Sequence, residues 1–283
     1  MATFTNRATL SYSGRTTDSN IVTGVIQETL SITKNAVIDE YAPGDEIVYV
    51  INVVNSGAAQ FTDVTLTDNL GGFIEGTQTL TPLSYVNGSA QYYVNGVLQP
   101  APAVTAGESL VIGGITVPAG ANVTVIYVAV VNGSAPLDIG DSIANTVTVT
   151  GDGIVTPLSA TETVSALSRP ELAITKSLTP TTVIENGRLT YTFTIQNYGN
   201  TPADAADNVT VTDTFDPILR DIAVTYEGEN WGTPANYTYD TASGLFVTNA
   251  GQIIVPAATY TRDADGNVQI IPGSVTLTVT GTI

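Results

Sequence analysis

Short runs in which apolar and polar residues alternate predict that this chain forms β-strands rather than helices. Two clear runs are Glu46–Val54 and Val123–Val128, in which valine, isoleucine and tyrosine dominate. Turns rich in Gly, Asn and Pro separate such runs at a spacing of about 8–15 residues. No stretch keeps a helical period over several turns. The pattern therefore predicts an all-β protein made of β-sandwiches.

Several motifs occur twice in the same order, which predicts two tandem modules. Residues 29–168 form module 1 and residues 169–283 form module 2. The matching pairs are Tyr49…Asn55-Ser56-Gly57 with Tyr191…Asn197-Tyr198-Gly199, Val64–Asp68 with Val209–Asp213, Ile115–Ala119 with Ile253–Ala257, and Val123–Val130 with Val275–Ile283.

The last strands of module 1 have no counterpart in module 2. Module 1 continues with Ile143–Gly151, whereas the given sequence stops at Ile283 before an equivalent segment. A similar segment lies at the other end of the chain, where Phe4–Gly14 aligns with Ile143–Gly153. We therefore predict that module 2 is incomplete and that residues 1–28 form the closing hairpin of a module, here named the donor hairpin.

Composition and charge exclude several kinds of function. The chain is 43% hydrophobic and 12% charged, and its formal net charge is −18. The negative charge argues against nucleic acid or an anionic membrane as a partner. The chain has no cysteine and no histidine, which excludes disulfides, Ser-His-Asp sites and zinc sites of imidazole or thiolate. We expect no cofactor and no metal.

Targeting signals are not readable in the sequence. The longest apolar run, Val123–Val131, is too short to span a bilayer, so no membrane span is expected. Residues 1–25 lack the charged, apolar and small-residue regions of a secretory signal, and no wall-sorting tail is seen at the C-terminus.

The chain contains only two lysines, and they occupy equivalent positions in the two modules. Lys34 ends the segment Leu30–Lys34, and Lys176 ends the segment Leu172–Lys176. A solvated surface normally uses lysine freely. Two lysines kept at one repeated position therefore indicate a chemical role, although exposed residues guarding the start of a strand would give the same pattern.

These motifs resemble the DUF11-type repeats of bacterial surface proteins over nearly the whole chain. The resemblance is carried by Ile-Thr-Lys, by Tyr-x-x-x-x-x-Asn-x-Gly, by Val-Thr-Val-Thr-Asp and by Asn-Thr-Val-Thr-Val-Thr-Gly. It implies immunoglobulin-like sandwiches that serve as stalks or filaments, often of Gram-positive bacteria. A location on a spore surface would explain the missing secretory signal, because lysis of the mother cell could release the protein. The resemblance implies no ligand and no enzymatic activity.

The resemblance also suggests an amide cross-link between a lysine of the first strand and an asparagine of the last strand, with an acid nearby. The reaction needs a neutral amine, a polarised amide carbonyl and close approach of the two groups. The candidate residues are Lys34, Asp68 and Asn145 in module 1, and Lys176, Asp213 and Asn6 for module 2. The acids could instead begin turns, and the asparagines could be ordinary polar residues of a strand.

Two further patterns have a functional and a structural interpretation. Asp263–Asn267 resembles part of a calcium loop, but the other ligands are missing and a hairpin turn is favoured. Trp231 with Tyr226, Tyr237 and Tyr239 could line a sugar site, but packing within the sandwich explains them better.

Together these observations predict a filament subunit that polymerises with itself, head-to-tail. The donor hairpin of one copy would complete module 2 of the next, as in donor-strand complementation. Phe4, Ala8 and Leu10 match Ile143, Val147 and Val149, so they are predicted to anchor the donated strand. The alternative is a monomeric surface adhesin, with an unknown ligand, whose hairpin folds onto its own chain. No motif supports an enzyme.

Overall fold

The computed structural model describes residues 2–26 and 29–283, and its regular structure is almost wholly β. A short 3-10 helix over Ala205–Asp207 interrupts the strands. The predicted all-β fold is confirmed, with several antiparallel sheets along the chain. Met1, Gln27 and Glu28 lie outside the described residues, and so does the predicted junction between the donor hairpin and module 1.

The N-terminal segment forms a long hairpin of two short ladders. Its strands are β1 (Ala2–Asn6), β2 (Thr9–Tyr12), β3 (Arg15–Asp18) and β4 (Val22–Ile26). Strand β1 pairs with β4 and strand β2 with β3. The two-residue turn at Ser13 and Gly14 has positive φ at both positions, as tight hairpins require. Between the ladders, Ala8 and Ser19 exchange two hydrogen bonds.

Nearly every residue of this hairpin is exposed, since only Gly24 among residues 3–25 is partly covered. The ring of Phe4 lies over Gly24, so that a Cβ atom there would come within 2.3 Å of the ring. An aromatic side chain thus takes the place of the missing side chain of its cross-strand partner.

Module 1 is a sandwich of two six-stranded antiparallel sheets. Its first sheet is ordered β13-β12-β16-β7-β5, with β11 also on β16, and its second β14-β15-β8-β17-β18-β6. The strands are β5 (Leu30–Ala36), β6 (Glu40–Tyr41), β7 (Glu46–Asn55), β8 (Phe61–Asp68), β9 (Phe73–Glu75), β10 (Gln78–Leu80), β11 (Leu83–Tyr85), β12 (Gln91–Val94), β13 (Val97–Leu98), β14 (Ala103–Ala106), β15 (Leu110–Val117), β16 (Asn122–Val131), β17 (Ser142–Asp152) and β18 (Leu158–Ala166). Strands β9 and β10 form a separate two-stranded antiparallel sheet.

Alternation along the strands builds the core of module 1. In β7, every second residue from Ile47 to Val53 is buried, and β16 shows the same alternation from Val123 to Val131. Such period-2 patterns place one face of each sheet against the other sheet. Burial of these apolar side chains provides most of the stabilisation of a sandwich of this kind.

Module 2 has one long sheet, ordered β19-β20-β28-β22-β23, and a three-stranded sheet ordered β21-β25-β24. Strands β26 and β27 form a hairpin. The strands are β19 (Leu172–Thr179), β20 (Arg188–Asn197), β21 (Thr212–Thr214), β22 (Arg220–Tyr226), β23 (Glu229–Trp231), β24 (Tyr237–Tyr239), β25 (Leu245–Thr248), β26 (Thr259–Arg262), β27 (Val268–Ile271) and β28 (Gly273–Thr282).

The described structure divides into two compact units. One runs to Pro136 and includes Ser142–Ser165, and the other combines Leu137–Asp141 with Ala166–Ile283. Among the described residues, no helix is both long and apolar enough to cross a bilayer.

Two structural interpretations from the sequence are confirmed. The backbone around Asp263 forms the turn of the β26–β27 hairpin, and its carboxylate accepts hydrogen bonds from the N–H groups of Asp265 and Asn267. The Trp231 ring lies 4.9 Å from that of Tyr226, and both pack against the core of module 2.

Candidate functional site

The strands of module 1 bring Lys34, Asp68 and Asn145 into its core. Lys34 lies on β5 at the edge of one sheet, and Asp68 and Asn145 lie on the adjacent strands β8 and β17 of the other. Each falls in the buried phase of its strand. The side chains of Lys34 and Asp68 are 0% and 1% exposed, and Asn145 is also fully buried.

Short polar contacts join these residues through a tyrosine. Lys34 Nζ lies 2.6 Å from Asp68 Oδ2. The hydroxyl group of Tyr127 donates to the same carboxylate oxygen at 2.7 Å. Asn145 Nδ2 in turn donates to the Tyr127 hydroxyl at 2.9 Å. The lysine amine and the asparagine amide thus stand at the two ends of one buried chain of polar groups.

The amide oxygen of Asn145 has a different partner. Gly71 N–H donates to Asn145 Oδ1 at 3.3 Å, from the turn that follows β8. The amide carbonyl is therefore polarised by a backbone N–H group. Gly71 has a φ of 71°, and a Cβ atom there would collide with Ile143, so the turn depends on glycine.

Burial changes the acid–base properties of this cluster. Removal from water lowers the pKa of Lys34 to about 8, against the opposing attraction of Asp68 and Glu162. The ammonium also lies 4.7 Å from the centre of the Tyr49 ring, a favourable cation–π distance. Burial, together with the charge of Asp68, raises the pKa of Tyr127 well above its ordinary value, so this hydroxyl stays protonated.

The structure also bears on the alternative interpretations. Lys34 is buried, so it is not an exposed residue guarding the start of a strand. Asp68 does begin a turn, because its Oδ1 accepts Leu70 N–H at 3.0 Å, but its other oxygen faces Lys34 and Tyr127. The Asp68 carboxylate can therefore begin the turn with one oxygen and take part in the chemistry with the other.

Tyr127 was missed in the sequence, where it reads as one more apolar residue of an alternating strand. Only the register between strands β16 and β7 could have shown that Tyr127 belongs to this site. Tyr127 on β16 lies directly opposite Tyr49 on β7, and their rings stack at 5.3 Å. Register between distant strands follows from the fold and not from the local pattern.

The equivalent site of module 2 is open to solvent. Lys176 pairs with Asp213, but their side chains are 40% and 18% exposed. The amine lies 4.3 Å from the centre of the Tyr191 ring, as Lys34 lies over Tyr49. Opposite Tyr191 stands Val279, so module 2 has no counterpart of the Tyr127 hydroxyl.

The exposure of Lys176 has a structural cause. In module 1, β8 is paired with β15 on one side and with β17 on the other. In the described part of module 2, β21 is paired with β25 only. Leu172 on β19 is 40% exposed, whereas its equivalent Leu30 is 8% exposed. A groove of about 350 Å³ remains, lined by Ile174, Thr175, Lys176, Phe193, Thr210, Val211, Thr212 and Asp213.

The remaining candidate residues lie in the N-terminal hairpin. Asn6 pairs with Val22 there, in a different unit from Lys176 and Asp213. The predicted anchors Phe4 and Leu10 are 54% and 62% exposed, and Ala8 is exposed as well. Their assignment as anchors, and that of Asn6 as a cross-linking residue, remains a prediction.

No family model and no curated protein sequence match this chain. Many solved structures are similar to it, and three of them serve as examples. They are BcpA, the major pilin subunit of Bacillus cereus, the pilus backbone protein RrgB of Streptococcus pneumoniae, and a family 123 glycoside hydrolase of Clostridium perfringens.

These three similarities are weak. The BcpA match has 14% identity and a TM-score of 0.38, and it covers 96% of this chain and 73% of BcpA. The RrgB match has 12% identity and a TM-score of 0.35 and covers 87% and 55%. The hydrolase match has 12% identity and a TM-score of 0.30 and covers 50% and 28%. Similarity at this level carries no argument about function.

Proposed function

We propose that this chain is a structural subunit of an extracellular bacterial filament, on a cell or spore surface, that grows head-to-tail by donor-strand complementation. The observation that carries the proposal is the unpaired edge of β21 beside the exposed Lys176–Asp213 pair. In module 1 the equivalent edge is covered by β17, which brings an asparagine to the lysine–aspartate pair. An open strand edge of this kind accepts a strand from another chain.

The N-terminal hairpin supports this role by its pattern. The buried residues of β17 are Ile143, Asn145, Val147 and Val149, in strict alternation. The aligned residues Phe4, Asn6, Ala8 and Leu10 are exposed in the hairpin. Fully burying a side chain as large as Phe or Leu stabilises an assembly by about 1.5–3 kcal/mol. The hairpin therefore has apolar surface to bury, and module 2 offers an open strand edge beside a groove.

The register of the joint follows from module 1. There Val147 lies opposite Asp68, and Val149 lies opposite Leu66. Carried over to module 2, Ala8 of the donor would lie opposite Asp213, and Leu10 opposite Val211. This register directs Asn6 toward Lys176, because a shift by one residue would turn every donor side chain to the other face.

Each copy both gives and receives a strand, so the contact is heterologous and propagates into a fibre unless it closes into a ring. The net charge of −18 makes copies repel one another in the absence of specific contacts. We infer a specific joint, because non-specific association would have to overcome this repulsion.

The proposed covalent chemistry is amide exchange, internal at Lys34–Asn145 and intermolecular at Lys176–Asn6. The neutral amine attacks the amide carbon, a new C–N bond forms, and the old C–N bond breaks to release one ammonia. Lys34 has a lowered pKa, and Asp68 and Tyr127 link its amine to the Asn145 amide by hydrogen bonds, which favours this reaction. The protein acts on itself and turns over no external substrate.

The experiment is assembly of the chain with residues 1–27 replaced by an initiating methionine, beside the Asn6→Ala variant and the wild type. We expect filaments from the wild type and a ladder on a denaturing gel. The truncated chain should give soluble monomers, and the hairpin added as a peptide should bind them. Asn6→Ala should still form filaments under native conditions. After boiling, these filaments should run as a single monomer band on the denaturing gel.

Unchanged filaments from the truncated chain would overturn donor-strand complementation. A wild-type chain that is monomeric at every concentration would favour the adhesin, whose hairpin folds onto its own chain. Wild-type filaments that dissolve fully in hot detergent would overturn only the covalent joint.

A further inference from the structure

The nucleophile and the leaving group of the proposed amide exchange lie at opposite ends of one hydrogen-bonded chain. Asp68 Oδ2 contacts Lys34 Nζ at 2.6 Å and accepts the Tyr127 hydroxyl at 2.7 Å. The Tyr127 oxygen accepts Asn145 Nδ2 at 2.9 Å. That nitrogen is the atom that must leave as ammonia.

Loss of ammonia requires a proton at the leaving nitrogen. The lysine amine loses one proton when it becomes an amide, and the departing nitrogen needs one. Among the hydrogen bonds of the described residues, Asp68 reaches Lys34 but not Asn145, and Tyr127 joins the two. If Asp68 acted alone, no proton donor would contact Asn145 Nδ2, the nitrogen that leaves as ammonia.

We propose that Tyr127 is a catalytic residue that passes a proton from Asp68 to the leaving nitrogen of Asn145. This inference rests on the proposed Lys34–Asn145 cross-link. It assigns separate roles to the two groups. Asp68 receives the proton from the attacking amine, and Tyr127 delivers one to the leaving amide nitrogen.

The step balances in atoms and protons. As Lys34 Nζ bonds to the Asn145 carbon, its proton passes to Asp68 Oδ2. The protonated acid then donates to the Tyr127 oxygen, and the Tyr127 hydroxyl proton moves to Asn145 Nδ2. The C–N bond breaks with its electron pair on nitrogen, ammonia leaves, and both Asp68 and Tyr127 return to their starting forms. Gly71 N–H stabilises the charge that develops on the amide oxygen.

The surroundings of Tyr127 suit a proton carrier. Its ring is fixed against Tyr49 at 5.3 Å, so the hydroxyl cannot swing away from its two partners. It is fully buried, so water does not compete for the proton. Module 2 has Val279 at this position. We therefore expect the Lys176–Asn6 amide to form more slowly than the Lys34–Asn145 amide.

The test is Tyr127→Phe in the full chain, with Tyr85→Phe as matched control. Tyr85 also contacts the Tyr127 ring, at 6.5 Å, but its hydroxyl accepts from Ala90 N–H, outside the proton chain. Intact mass is followed from the first minutes after purification, and peptide mapping locates the cross-link. Removing a general acid slows a reaction by about 10²–10⁴-fold.

We expect wild type and Tyr85→Phe to have lost the ammonia of the internal bond at the first time point. Tyr127→Phe should begin at full mass and lose ammonia at least tenfold more slowly. Before cross-linking it should melt at the temperature of the folded but uncross-linked Asn145→Ala chain. A Tyr127→Phe chain that is cross-linked as early as the wild type would overturn the relay and leave the proposed function intact.

A wild-type chain in which Lys34 and Asn145 are not joined would overturn the cross-link and the relay together. If Tyr127→Phe does not fold, 3-fluorotyrosine at residue 127 keeps the ring and hydroxyl but makes the hydroxyl more acidic. The reaction is then timed at acidic pH, where protonation of Lys34 slows it. A changed rate would support the relay, and a rate equal to the wild type would overturn it.

Discussion

The two lysine–aspartate pairs of this chain are nearly the same in sequence and very different in environment. Lys34 and Asp68 are sealed within module 1, whereas Lys176 and Asp213 border a groove. The cause is the strand β17, which covers the edge of β8 and has no counterpart beside β21 in the described residues. The exposure of an ion pair therefore depends more on the strands around it than on its own two residues.

This difference also explains why the two sites suit two different tasks. A sealed pair can react within its own module, because its amide partner is already in place. In the proposed assembly, the open pair would react with an amide that arrives on a strand of another copy. Under the proposed function, the same chemistry would occur twice, first within module 1 and then between two copies of the chain.

Substitution of each aspartate in turn tests the difference between the two sites with the largest expected effect. Asp68→Ala leaves Lys34 buried without its counter-charge, at a cost of about 3–5 kcal/mol. It should also block the cross-link, whose closure of a long loop is worth about 2–5 kcal/mol, by analogy with a disulfide. Intact mass should be full and thermal unfolding should occur at a much lower temperature.

Asp213→Ala is the matched control in the unassembled chain. Because Lys176 is 40% exposed, water solvates it without Asp213, and the loss should be about 0–1 kcal/mol. Equal destabilisation by the two substitutions, measured by chemical denaturation of each, would mean that the two sites are equally closed and that the comparison fails.

The pH dependence of stability offers a second, smaller test. In an Asn145→Ala background, which cannot cross-link, Lys34 keeps a pKa of about 8 in the folded state and regains its ordinary 10.5 on unfolding. Above pH 8 the unfolded chain binds more protons at this residue than the folded chain. Stability should therefore rise with pH, by at most about 1.4 kcal/mol per unit.

The useful window ends near pH 10, where tyrosines begin to ionise in the unfolded chain while Tyr127 stays protonated in the folded one. Denaturant unfolding between about pH 8 and 9.5 measures the slope. Adding Lys34→Met should flatten it. A slope that persists in the Lys34→Met chain would assign the effect to other groups and remove the evidence for a lowered lysine pKa.

Much of this arrangement was predictable, and the limits of prediction are instructive. Alternation and repetition predicted the strands, the placement of Lys34, Asp68 and Asn145 on three of them, and the equivalence of the two lysine–aspartate pairs. Tyr127 did not follow, because its role arises from its position opposite Tyr49 and beside two polar partners. The burial of Lys34 and the exposure of Lys176 likewise depend on neighbouring strands that are distant in sequence.

The smallest expected effect is the loss of stability caused by substitution of Leu172 in module 2. Leu172 is 40% exposed, so Leu172→Ala should change the stability of the unassembled chain by no more than about 0.5 kcal/mol. Leu30→Ala, at the equivalent and buried position of module 1, should cost about 2 kcal/mol or more. If the donor hairpin covers Leu172 in filaments, the difference should shrink there, and Leu172→Ala should weaken binding of the hairpin peptide several-fold. Denaturation of the unassembled chains and titration of the peptide measure the two effects separately. If Leu172→Ala is as costly as Leu30→Ala in the unassembled chain, Leu172 is already covered within a single copy, which would count against an open site in module 2.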